Sequence, residues 1–192
     1  VMYLYGYYVA VDYSKDIKSF KDAALLGEAM AYVNLGECYQ LGKGVKVDYK
    51  KAMQQFKKAQ ALGNTEGMYR IGLLYDKGLG VDLSYDEALK WYKKAALEGN
   101  SNAQFELGEH YYYGYGLNKS DTEAFNWYKK SGTQNNLAAL FNLYRCYQNG
   151  VGTKKDINLA IATLYRLDQL NYSKGVTELG NCYYHGEGVA LD

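Results

Sequence analysis

The stretch Ile71-Gly72-Leu73-Leu74-Tyr75-Asp76-Lys77-Gly78-Leu79-Gly80-Val81, followed by Ser84 to Gly99 (SYDEALKWYKKAALEG), reads as two helices separated by two glycine stops. The rest of the chain is copies of it. Gly6, Gly42, Gly78, Gly114, Gly150 and Gly186 are each 36 residues apart, and Tyr3, Tyr39, Tyr75, Tyr111, Tyr147 and Tyr183 keep the same step. A fixed period of that length marks a repeat architecture, in which each supersecondary unit buries its faces against its neighbours.

The first half of the period places Ala31, Leu35, Cys38 and Tyr39, or Ala103, Leu107, His110 and Tyr111, at the spacing of one buried helix face. This is helix A. It stops at the Gly42 column, where the chain must enter the left-handed region, and a second glycine two residues on lets the turn reverse tightly. Helix B then opens at a column of Asp or Ser, namely Asp12, Asp48, Ser84, Ser120, Asp156 and Asp192, whose side chains accept from the first-turn N–H groups. Ser84 with Glu87, and Ser120 with Glu123, have the spacing of a capping box. Gly36, Gly72, Gly108 and Gly180 fall in mid-helix, where glycine costs roughly 1 kcal/mol relative to alanine. A close crossing of helix B over helix A explains them, with the column Phe20, Phe56, Tyr92, Tyr128 wedged beside it.

The period divides the 192 residues into a partial repeat 1–27, complete repeats 28–63, 64–99, 100–135 and 136–171, and a partial repeat 172–192. The first is read as the end of a helix A plus a full helix B from Tyr13 to Leu26. Both ends cut a repeat, so the sequence is expected to be a piece of a longer protein. Repeat 136–171 departs furthest, with Tyr144 in the mid-helix glycine column, Leu167 in an alanine column and Asn171 in the column of Gly27, Gly63 and Gly99. A phenol at that crossing should overpack it, at about 1 to 3 kcal/mol, and a local widening or a change of superhelical pitch is expected there.

Composition excludes several function classes. With 22 basic and 21 acidic residues, the net charge of +1 argues for no nucleic-acid partner, and no apolar run is long enough to insert in a membrane. Cys38, Cys146 and Cys182 share one buried column, too far apart between repeats to pair, and read as free core thiols that mildly favour a reducing compartment. Gly78-Leu79-Gly80 and Gly114-Tyr115-Gly116 lack the third glycine and the preceding strand of a dinucleotide site. Cys182 and His185 would give two metal ligands where a structural zinc wants four. No catalytic, cofactor-binding or metal-ligating residue is assigned, and nothing encloses a substrate around the carboxylates of Glu106 and Glu109.

The pattern LG-x-x-Y-x-x-G-x-GV, an acid, then KA-x-x-WYKKAA-x-G, written by Ile71 to Gly99 and echoed by Leu35 to Gly63 and Leu107 to Lys130, resembles the Sel-1-like repeat (SLR) family, relatives of the tetratricopeptide repeats. The resemblance covers essentially the whole chain. It implies an all-α fold, an α/α right-handed superhelix (solenoid) of about five 36-residue helix-turn-helix repeats forming one array. It also implies a non-catalytic adaptor that gathers proteins into complexes. Some secreted members join helices A and B by a disulfide, and the corresponding positions here are alanines such as Ala95, Ala103 and Ala139, a departure from that subgroup.

In the related repeats helix A lines the concave side. Positions equivalent to 30, 34, 37 and 41 lie opposite its core columns and define the outward stripe. Its candidate partner-binding residues are Asn34, Glu37 and Leu41; Arg70, Leu73 and Lys77; Glu106, Glu109 and Tyr113; Asn142, Arg145 and Asn149; with Glu178, Asn181 and His185 continuing it. Mixed charge, amide and tyrosine suit a peptide or protein partner held by hydrogen bonds and aromatic anchors. A solvated helix face is the plain alternative. Tyr112, Tyr113, Tyr115 and Tyr184 are either an adhesive patch or packing. A rival surface is the basic row Lys21, Lys57, Lys58, Lys93, Lys94, Lys129, Lys130 and Arg166, which would face phosphates or anionic lipid or merely complement helix C-termini.

Overall fold

Each complete period folds as helix A, glycine turn and helix B in the computed structural model of the chain, which describes residues 2–4, 7–9 and 13–188. The A helices are α2 (Ala29–Leu41), α4 (Thr65–Lys77), α6 (Ser101–Tyr113), α8 (Leu137–Asn149) and α10 (Ser173–His185). The B helices are α1 (Ser14–Leu25), α3 (Tyr49–Ala61), α5 (Tyr85–Leu97), α7 (Asp121–Thr133) and α9 (Ile157–Gln169). From α2 onward every helix has 13 residues, for example α2, α3 and α4, about the length below which an isolated helix is marginal in water. Packing therefore has to supply what propensity does not. The fold is all-α, built of helix-turn-helix repeats as the sequence indicates.

The first period departs from expectation. Met2–Leu4 (β1) and Tyr7–Val9 (β2) pair antiparallel in the register Met2↔Val9, Tyr3↔Tyr8 and Leu4↔Tyr7, where the pattern placed the end of a helix A. Tyr8 stands in the column of the second turn glycine (Gly44, Gly80, Gly116, Gly152), so the glycine turn of the other repeats is not encoded here, and aromatic and β-branched residues fit a pleated, paired backbone. Gly6, Asp12 and Asp192, members of the repeat columns, lie outside the described residues. Helix α1 opens at Ser14 with Tyr13 as its N-cap residue and no side-chain capping bond.

Helix B is capped as its Asp/Ser column requires. Asp48 accepts from Lys51 N at 2.9 Å, Ser84 from Glu87 N at 3.2 Å, Ser120 from Glu123 N at 3.2 Å and Asp156 from Leu159 N at 2.9 Å. The second half of the expected capping boxes is replaced: the cap N–H groups of Asp48, Ser84, Ser120 and Asp156 donate to the carbonyls of Tyr39, Tyr75, Tyr111 and Tyr147 at 2.8–3.0 Å. That bond closes each hairpin, so the tyrosine column marks a backbone acceptor as much as a ring. Of those four rings only Tyr147 is fully buried; the other three are half-buried against the core.

Helix A has its own caps, in a column of asparagines that also keeps the 36-residue step. Asn64, Asn100 and Asn136 accept from Gly67 N, Ala103 N and Ala139 N at 2.9, 2.8 and 3.0 Å. Replacing Asn64 by alanine is expected to cost about 1 kcal/mol, read as a lower urea midpoint with unchanged slope.

By contacts the chain forms two compact units, Val1–Trp91 and Tyr92–Asp192. In the first, a Cβ on Gly36 would lie 2.6 Å from Phe56 Cδ1, and Phe56 is wholly buried. In the second, a Cβ on Gly108 would lie 2.5 Å from Tyr128 Cδ1 and Cε1. Gly36 and Gly108 are thus the seats of Phe56 and Tyr128, whereas Gly180, for which the same close crossing was expected, has nothing within 4 Å. In repeat 136–171 the two sizes are exchanged: Tyr144 occupies the glycine position and Leu164 the aromatic one, and both are buried in one cluster. Leu167, in its alanine column, is likewise met by Gly175, whose Cβ would come 3.0 Å from Leu167 Cδ1. The overpacking expected from Tyr144 is answered by smaller side chains opposite.

The second turn glycine does more than reverse the chain. Gly44 and Gly80 would drive a Cβ to 2.7 Å from Tyr13 Cβ and 2.5 Å from Tyr49 Cβ, and Gly152 to 2.5 Å from the carbonyl carbon of Asp121. Each partner lies at the start of the preceding repeat's helix B. This glycine is where one turn seats on the hairpin before it.

Candidate partner-binding site

In the N-terminal unit the outward stripe is largely spoken for. Arg70 Nη2 meets Glu37 Oε1 at 2.5 Å and Arg70 Nε meets Glu66 Oε1 at 2.8 Å. Two carboxylates flanking one guanidinium form a clamp across consecutive A helices, α2 and α4, and leave little charge for a visitor. Asn34 and Leu73 are half-buried; Leu41 is 57% exposed, and Lys77 is exposed with Asp76 Oδ2 4.0 Å away.

The C-terminal unit uses the equivalent positions differently. Tyr128 Oη donates to Glu109 Oε1 at 2.6 Å and Asn142 Nδ2 donates to the same oxygen at 2.7 Å. Burial, then the Glu109 bond, pushes the Tyr128 hydroxyl far above its usual range, so it stays a donor at any physiological pH. The Glu37–Arg70 and Glu109–Asn142 contacts each span 33 residues, from one stripe column to another in the next repeat. They are rungs that tie neighbouring A helices.

Around the second rung a cleft of about 290 Å³ opens between α6, α8 and the start of α10. Five of the candidate residues, Glu109, Tyr113, Asn142, Arg145 and Asn149, line it. Glu106 is half-buried and not among the lining residues. Tyr113 is 54% exposed and stacks on Tyr115 at 5.3 Å between centroids, with Tyr112 edge-on at 4.9 Å. The tyrosine patch is a self-packed cluster with one open face. Arg145 and Asn149 are exposed.

Sequence reading missed the aromatic wall of this cleft, Phe105, Phe141 and Tyr172, and its second cation, Lys174. The signals were present: Tyr69, Phe105 and Phe141 recur at one period step, and Ala138 and Lys174 fall in the column of position 30 that belongs to the stripe. Cys146 also lines the cleft, but burial, then the nearby Asp121, pushes its thiol up to about 11. It is no nucleophile at neutral pH. All three cysteines are free and buried, as their spacing required.

The basic row is exposed at Lys57, Lys58, Lys93, Lys94, Lys129 and Lys130. Several members have structural partners: Lys58 lies 5.5 Å over the Tyr32 ring, Lys130 4.2 Å over Trp127, and Arg166 Nη2 donates to Asn135 Oδ1 at 2.6 Å. Among the described residues no three or more His, Cys, Asp or Glu side chains gather in a way that could hold a metal, and no helix is long and apolar enough to cross a membrane.

Comparison with known proteins places these features in a family. No curated protein is similar enough in sequence to match. Among solved structures, a Sel1 repeat protein from Oxalobacter formigenes is 29% identical with a TM-score of 0.85, over 94% of this chain and 74% of its own. A protective antigen of uropathogenic Escherichia coli displaying an SLR fold is 31% identical with a TM-score of 0.80; it is matched over 91% of this chain, which spans only 38% of the antigen's length. Cysteine rich protein B of Helicobacter pylori, at 23% identity and a TM-score of 0.52 over 66% of this chain and 96% of its own, shares the fold alone. Sel1 repeat proteins are generally protein-interaction scaffolds without catalytic function. The Sel1 repeat model matches residues 1–15, 29–64, 65–100, 101–136, 133–162 and 173–192, of which 29–64, 65–100 and 101–136 coincide with the hairpins α2–α3, α4–α5 and α6–α7, and the chain belongs to the Sel1 repeat family.

Proposed function

We propose that this chain is a non-catalytic scaffold, one array over its whole length, that binds a peptide or an exposed segment of a protein partner on its helix A face, with the α6–α8 cleft as the principal contact. The observation that carries this reading is the joining of an open tyrosine, Tyr113, to the polar side chains Asn142, Arg145 and Asn149 around an aromatic-walled hollow. Aromatic anchors beside oriented amides are what extended peptides require. The amide of Asn142 is held by Glu109, which fixes its direction before any partner arrives.

The rival reading, an anion- or membrane-surface module on the helix B basic row, has less behind it, because Lys58, Lys130 and Arg166 already serve rings and carbonyl groups. The expected outcome is that a partner segment selected on the protein loses about tenfold or more in affinity with Tyr113→Ser, measured by fluorescence anisotropy, and is indifferent to Lys93→Gln with Lys94→Gln. Reversal of Arg70 is the wrong test here, since it breaks the clamp with Glu37 and Glu66 and tests stability instead. Selected segments that ignore Tyr113→Ser but respond to the lysine changes would replace this reading with the rival.

A further inference from the structure

Resting on that reading, we propose that the segment seated in the α6–α8 cleft is acidic: an Asp or Glu side chain beside an aromatic or long aliphatic residue, its carboxylate held by Arg145 and Lys174. Both cations line the cleft, both are exposed, and neither has an ion-pair partner among the described residues. The contrast lies within the same chain, since Arg70 on the equivalent face of the N-terminal unit is held by Glu37 and Glu66.

Lys174 is not explained by the stability of its own helix. Lys174 stands in the first turn of α10, where the helix macrodipole repels a cation, and that turn carries no acidic residue and no side-chain cap to offset it. The one carboxylate of the cleft, Glu109, is turned to internal work, with Oε1 accepting from both Tyr128 and Asn142. Its negative charge remains, but Arg145 and Lys174 outnumber it, so the two cations and one carboxylate lining the cleft leave it net positive. The walls beside these cations, Phe105, Phe141 and Tyr172, are apolar. A volume of about 290 Å³ is at the small end for a ligand pocket, enough for one large side chain and its neighbour, which sets the acidic group next to an apolar one.

The test is selection of a displayed library of random dodecapeptides on the whole chain, followed by binding of the winners as acetylated, amidated peptides. Enriched sequences are expected to carry Asp or Glu next to Phe, Tyr, Trp, Leu or Met. Exchanging that acid for its amide, or Arg145→Glu or Lys174→Glu in the protein, is expected to weaken binding about tenfold, with affinity falling as salt rises. Circular dichroism of both variants should match the parent, because both side chains are solvent-exposed. Peptides enriched without an acid, or unaffected by the charge reversals, yet lost with Tyr113→Ser, would overturn the acidic assignment and leave the cleft as the binding site. Peptides indifferent to all three changes, or a library that enriches nothing, would overturn both.

Discussion

Gly152→Ala is expected to destabilise the C-terminal unit by about 3 kcal/mol, from two separate costs: about 1–2 for a left-handed backbone in a residue with a Cβ, and about 1–3 for overpacking. Gly152 has φ +68°, and its Cβ would lie 2.5 Å from the carbonyl carbon of Asp121, nearer still to that carbonyl's oxygen. A backbone carbonyl in the first turn of α7 cannot swing aside as a flexible side chain can. The control is Gly63→Asn. Its φ of +77° is just as left-handed, but nothing lies within 4 Å, and Asn135 and Asn171 already occupy that column at φ +62° and +54°. Urea unfolding should show a change of only a few tenths of a kcal/mol for Gly63→Asn. Equal losses at the two sites would mean that the seat of one turn on the previous hairpin carries no stability.

The second large effect is a coupling. Gly36→Ala forces a methyl into the Phe56 ring, whose Cδ1 would be 2.6 Å away, and should cost about 1–3 kcal/mol, less roughly 1 regained from helix propensity. Phe56→Leu alone should cost about 1–2 kcal/mol by leaving a void in a fully buried site. Made together, the two changes should cost less than their sum by about 1 kcal/mol or more, as pairs in contact do. The chain has already tried the exchange once, with Tyr144 opposite Leu164 in repeat 136–171. Strict additivity in the double-mutant cycle would show that the glycine and the ring are not reciprocal partners.

Legibility followed periodicity. Columns that repeat at 36 residues gave the helices, their glycine stops and the helix B caps, because a contact made in every repeat leaves the same residue type at the same step. The asparagine caps of helix A at Asn64, Asn100 and Asn136 keep the same step. What the pattern did not disclose were a contact made once and the contacts between one repeat and the next. The β1–β2 pair lies where Tyr8 breaks the column of the second turn glycine. The rungs at a spacing of 33 needed to know how far one A helix slides along the next, and a period alone does not report that offset. For the same reason only five of the twelve candidate residues converge on the cleft, although all twelve occupy the outward columns. A helical wheel finds which side faces out, and neighbours in space decide which outward residues are idle.

The rungs bear on how such a surface could be re-engineered or drift by mutation. Glu37 and Arg70, like Glu109 and Asn142, belong to different repeats, so transplanting one 36-residue module into another array would sever a tie and leave its former mate without a companion. The smallest portable cassette is then two successive modules, and a change of specificity on this side of the molecule should travel as paired replacements and not as single ones.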